Sequence, residues 1–171
     1  MKMKIAILLF ISLLVQNCHL SITNSKLFES FYVGNGKTNY FIKSLKFKGP
    51  EKSKIFMDLT FNMAKENDNA VIINFSIINI KETITVDSMS INSDNELVSL
   101  KRLHLLFLEK NKNQFLSRYT SKIDLKEAFN LFKNSEWDVT IHLNGVKHIF
   151  KNTHKTMRKI DYLNEHLFMI L

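Results

Sequence analysis

The stretch "WDVTIHLNGVKHIF", Trp137 to Phe150, leaves the chain little conformational choice. Two runs of alternating apolar and polar residues flank Asn144-Gly145, the pair that best accepts the two positive φ angles of a type I′ turn. A two-residue turn fixes the register. Leu143 must face Val146, Ile141 must face His148, and Val139 must face Phe150. Trp137, Val139, Ile141, Leu143, Val146 and Phe150 then form one apolar face, and a hairpin with such a face has to bury it against more sheet.

The rest of the chain supplies that sheet. In "SKIFMDLTFNM" the residues Ile55, Met57, Leu59, Phe61 and Met63 share one side, a period-2 pattern that specifies a half-buried strand. After the polar turn "AKENDN", the segment "AVIINFSIINI" places Val71, Ile73, Phe75 and Ile77 on one face and is nearly as apolar on the other, so it reads as a central strand paired with its predecessor. Thr38 to Lys48 reads as a strand ended by Gly49-Pro50, which holds the only proline. Lys81 to Ile91 reads as extended chain. Leu97 to Leu108 satisfies helical spacing about as well as strand alternation; the polar turn "EKNKNQ" that follows, leading into "FLSRYTSKI", favours strand. One helix is expected from Asp124, with Glu127 completing a capping box and Leu125, Ala128, Phe129 and Phe132 lining one face. The final five residues, Leu167 to Leu171, are all apolar and are expected to be buried, as a last strand in the domain or against a partner.

Eight or nine strands and one short helix suit an all-β fold, an antiparallel β-sandwich of Ig-like or jelly-roll-like kind. A small β-barrel or an α+β arrangement is the alternative. No repeat, low-complexity tract or linker divides the region.

At the N-terminus, Lys2 and Lys4 precede an apolar run of 11 residues, Ile5 to Val15, interrupted only by Ser12. As a helix it would rise about 16 Å, half the thickness of a bilayer core. That length fits a secretory signal better than a permanent span. Cys18, the only cysteine, follows two residues later. Leu14-Val15 with Cys18 resembles the signal of bacterial lipoproteins, whose cysteine carries lipid after cleavage; Gln16 and Asn17 depart from that pattern. The resemblance implies a signal peptide over 1–17; the polar stretch that ends in the turn Gly34-Asn35-Gly36 reads as an N-terminal tether over 18–37, ahead of a single β-rich domain over 38–171. Simple secretion, an uncleaved anchor and no export at all are the other fates open to the N-terminal segment.

Beyond Cys18 there is no thiol, so the domain has no disulfide, no cysteine nucleophile and no cysteine-based metal site. The net charge of +8 falls to +6 if Lys2 and Lys4 leave with a signal. Only Arg102, Arg118 and Arg158 among the 24 cationic residues are arginines, and arginine is the residue that reads phosphate and guanine bidentately. Nucleic acid is therefore not an expected partner. His142, His148 and His154 recur at intervals of six and are weak candidates for a metal site, but the hairpin register turns His142 and His148 to opposite faces. Asp58 lies mid-strand on the more polar face and reads as solvated. With four glycines there is no phosphate-cradling loop, and no G-x-S-x-G elbow is present.

No cofactor and no catalytic residue is expected. The sequence points to an exported, lipid-anchored bacterial envelope protein acting as a non-catalytic binding or structural module. Its expected partners are the membrane, through lipid on Cys18, or another envelope protein. The alternatives are an exported hydrolase or carbohydrate-active enzyme with dispersed residues, and a subunit or inhibitor that completes a partner's sheet with its C-terminal strand.

Overall fold

The structure is a computed structural model that describes residues 27–63, 70–79, 85–94, 96–111 and 114–170. Nine strands run in chain order: β1 (Phe28–Gly34), β2 (Lys37–Lys48), β3 (Lys54–Met63), β4 (Ala70–Asn79), β5 (Ser88–Ser93), β6 (Glu96–Asn111), β7 (Gln114–Asp124), β8 (Trp137–Leu143) and β9 (Val146–Asn152). Helix α1 (Leu125–Phe132) joins β7 to β8, and α2 (His154–Leu163) follows β9 and continues as a π-helical turn over Asn164–Phe168. The strands pair antiparallel in the order β1-β2-β3-β4-β7-β6-β5-β8-β9.

The sheet closes on itself, because β9 returns to β2 through Phe47 opposite Asn152 and Lys48 opposite Lys151. Eight strands, β2 to β9, therefore form a barrel, and β1 extends the sheet beside the N-terminal half of β2. This corrects the expected sandwich. The strand count, the antiparallel pairing and the β8–β9 register are as the sequence specifies. One layer closed on itself, in place of two stacked layers, was the alternative.

Strand β2 can serve two neighbours because it is long and broken by a bulge. Between Ile42 and Leu45 two residues, Lys43 and Ser44, stand opposite Asp58 alone. Before the bulge β2 pairs with β1; after it, with β9. Helix α2 serves the carbonyls left between the two. Thr156 Oγ1 donates to the Lys46 carbonyl at 2.7 Å, and Lys159 Nζ donates to that of Ser44 at 3.1 Å. At the seam itself Gly49 lies so close to the Phe150 ring that a β-carbon there would collide with it.

Alternating inward residues fill the barrel. Ile42, Leu45, Phe47, Ile55, Met57, Ile73, Phe75, Ile91, Val139 and Ile141 are fully buried. Eight-stranded barrels of this kind have an interior just wide enough for side chains. The helices seal one end. In α1 the capping box of Asp124 and Glu127 is present, and Leu125, Ala128, Leu131 and Phe132 are buried. The Trp137 indole N–H donates to the carbonyls of Leu131 and Asn134 at the end of that helix, and its ring packs edge-on against Phe132 at 4.8 Å and parallel to Phe47 at 6.5 Å.

The expected C-terminal strand is instead helical. Thr153 caps α2, and Thr156, Ile160, Leu163 and Leu167 fall at helical intervals facing the core. The tail is buried only in part. Phe168 stacks on Phe132 at 4.1 Å and on Phe61 at 5.8 Å, whereas Met169 and Ile170 are 73% and 75% exposed. The stretch from 28 to 34, read from the sequence as the end of a tether, is strand β1.

Two expectations follow. Phe168→Ala, which empties the plug, lowers unfolding free energy by about 3 kcal/mol in urea titration, whereas Ile170→Ala changes it by less than about 0.5 kcal/mol. The second concerns pH. Burial raises the Tyr119 hydroxyl above its ordinary pKa of 10.0, and the N–H of Val86 donating to it at 3.1 Å offsets this only in part. The neutral phenol is thus favoured in the folded state. Stability is full below pH 10 and declines as pH rises toward the folded value, because the unfolded chain ionises first. Tyr119→Phe flattens that alkaline slope in denaturation curves and costs about 1 kcal/mol at neutral pH by unpairing the Val86 N–H.

Candidate functional site

The residues that the sequence singles out are not brought together. Cys18 lies outside the described residues. His142 stands on the outer side of β8 with its Nδ1 3.1 Å from Ser88 Oγ. His148 is opposite Ile141, on the other face, as the turn register requires. His154 opens α2 and is exposed. Among the described residues no three His, Cys, Asp or Glu side chains are placed to hold a metal ion, and no helix is long and apolar enough to cross a membrane.

Asp58 is not solvated. On the outer face of β3 it is 8% exposed and accepts two hydrogen bonds from Arg118 Nη2, at 3.0 and 3.3 Å. Asn74 Nδ2 donates to the same carboxylate at 3.2 Å, and Arg118 Nη1 donates to Ser76 Oγ at 2.8 Å. The register explains the cluster: Asp58 lies opposite Asn74, and Ser76 lies opposite Arg118, so three neighbouring strands contribute. The charges of Asp58 and Arg118 cancel, and the carboxylate already accepts from both Arg118 and Asn74. This is a structural clasp.

A different surface carries unspent charge. Between Lys101 and His104 the β6–β7 register slips, so that Arg102 and Leu103 stand opposite Ser121 alone. At this bulge Arg102 has φ +56°, and it is the only non-glycine residue with positive φ inside a strand among the described residues. Ser121 Oγ repairs the interrupted ladder by donating to the Lys101 carbonyl at 2.7 Å. The backbone strain turns successive side chains toward one hollow of about 470 Å³, lined by Lys101, Arg102, His104, Thr120, Ser121 and Lys122. Three of these are cations and none is a carboxylate. Lys101 lies opposite Lys122, an arrangement of like charges that ordinarily weakens a sheet. No ion pair among the described residues neutralises any of the three cations.

A second hollow, of about 450 Å³, lies where β5, β8 and β9 meet α2 and has the opposite sign. Asp94, Glu136 and Asp138 line it with Lys151. It offers carboxylates, but they do not converge closely enough to share a cation.

Nothing in the one-dimensional pattern marks the basic hollow, because "LKRLHLLF" alternates imperfectly and the bulge that gathers its cations depends on β7. A left-handed non-glycine residue in a strand costs about 1–2 kcal/mol. Arg102→Gly is therefore expected to raise unfolding free energy by about 1 kcal/mol in urea titration while removing one wall of the hollow. An Arg102→Ala variant, which keeps a β-carbon in the same conformation, gains nothing.

Comparison with protein-family models, with curated proteins and with solved structures finds no match to this chain.

Proposed function

We infer that this chain is an exported, lipid-anchored bacterial envelope protein whose barrel is a non-catalytic module for binding an anionic group. The observation that carries the binding reading is the convergence of Lys101, Arg102 and Lys122, with no ion-pair partner among the described residues, on a hollow at a strained bulge. Strain kept at a surface bulge is a feature of sites in which a side chain must be aimed. The closed and packed interior supports a site on the outside of the barrel. Thr120 and Ser121 add hydroxyl groups suited to phosphate, sulfate or carboxylate oxygens. Export and anchoring rest on Lys2, Lys4, the apolar run Ile5–Val15 and Cys18.

The acidic hollow favours a second reading, an exported hydrolase acting on a sugar or a cationic substrate through Asp94, Glu136 or Asp138. Retained binding but lost turnover in an Asp138→Asn variant would favour that reading.

Two measurements test the first. Fatty-acid labelling of cells is expected to mark the wild-type protein and to leave Cys18→Ala unlabelled and released from membranes. Titration with inorganic phosphate is expected to shift the backbone amide resonances of Lys101 to His104 and of Lys122. Lys101→Glu should weaken that binding at least tenfold, since it removes one cation and adds a repulsive charge beside the anion.

A further inference from the structure

The arm formed by the distal halves of β6 and β7 carries apolar side chains on both faces. Leu105, Leu106, Phe107 and Leu108 are consecutive and each is 43–51% exposed. Leu105 and Leu108 stand opposite Tyr119 and Ser117, which are buried, and Phe107 stands opposite Arg118, which belongs to the outer clasp. Beyond Leu100, β6 has a partner strand on one side only among the described residues. A rigid protein partner would cover one face of such an arm and leave the other wet. A fluid apolar boundary can close around both.

Charge favours the same occupant. Lys101, Arg102 and Lys122 stand before the apolar run and Lys110 after it, with Glu109 the single acid of that segment. The Lys110 ammonium sits 5.3 Å from the centre of the Phe115 ring, so the far end of the arm pairs a cation with an aromatic face. Cations flanking leucine and phenylalanine are the composition of segments that lie in the headgroup layer of anionic membranes.

We propose that the β6–β7 arm docks the barrel on an anionic phospholipid surface. The basic hollow takes a headgroup phosphate, and Leu105 to Leu108 rest at the boundary between headgroups and acyl chains. The proposal rests on the anion-binding reading and adds the source of the anion. The edge of β6 that has no partner strand among the described residues stays within the hydrated headgroup layer, where its N–H and C=O groups find partners that hydrocarbon could not provide. If Cys18 carries lipid, the ten residues from there to Phe28 span at most about 36 Å, which keeps the barrel beside the surface.

The test uses the full chain with Cys18→Ser, so that no attached lipid contributes, and places a tryptophan at the arm with Phe107→Trp. A control chain carries Met169→Trp on the exposed end of the tail. Each is mixed with phosphatidylcholine vesicles with or without phosphatidylglycerol, their acyl chains brominated to quench a nearby indole. The expected result is a blue shift and quenching for Phe107→Trp only, only with phosphatidylglycerol, with apparent affinity reduced about fivefold or more by Lys122→Glu. Absence of quenching at position 107 with every vesicle overturns the proposal. So does equal quenching by phosphatidylcholine alone, and so does self-association that Phe107→Ser abolishes, which would make a second copy the occupant. If inorganic phosphate shifts the Lys101–His104 amides while no vesicle quenches position 107, the anion site stands and its lipid source is refuted. If neither occurs, the anion reading falls as well.

Discussion

Two residue pairs, Phe47 with Asn152 and Lys48 with Lys151, turn a twisted sheet into a closed barrel. Much else serves that short seam. The bulge at Lys43 and Ser44 frees the end of β2 to leave β1 and meet β9. Helix α2 takes up the carbonyls that the change of partner exposes, and Gly49 lets the β2–β3 turn press on the Phe150 ring. Trp137 ties the seam to the helical plug, stacking over Phe47 while its N–H caps the end of α1. Closure covers the end of the β9 edge that an open sheet would expose to aggregation. It also commits the interior to packing, so ligand chemistry has to be sought outside.

The sequence was most legible where the determinants are local. Asn144-Gly145 set the β8–β9 register residue by residue, and Asp124 with Glu127 marked the start of α1. Alternation in β3 and β4 identified their buried faces correctly. What periodicity cannot supply is the identity of lateral neighbours. A strand with one apolar face serves equally in a sandwich and in a barrel, and the difference here rests on a seam between residues distant in the chain. The C-terminal helix is a different case. Thr153, Ile160, Leu163 and Leu167 carry its cap and its spacing, but the apolar ending Leu167–Leu171 drew the reading toward a strand.

The candidate site was legible in its ingredients and not in its assembly. Lys101, Arg102 and His104 are visible in any scan for charge, yet they look like the solvated half of a strand. Only the slip of β6 against β7 gathers them with Lys122. The outer surface shows what the same residue types do when paired. Arg118 and Asp58 cancel within a clasp that ties β3, β4 and β7, the point at which the strand order departs from the chain order. Arg118 is neutralised by geometry, and Arg102 is given no ion-pair partner by it among the described residues.

The seam also has a consequence in time. Residue 47 cannot find residue 152 until β9 has been synthesised, and β4 must likewise wait for β7. Folds dominated by such distant pairings form slowly, because loop entropy is lost before the contacts that compensate for it are made. The local β2–β3 and β3–β4 hairpins can form and dissolve meanwhile, but no barrel can lock. A translocation channel admits unfolded chain, and this topology leaves the nascent protein open for as long as its downstream strands are missing. If the chain is exported, slow closure is compatible with that route.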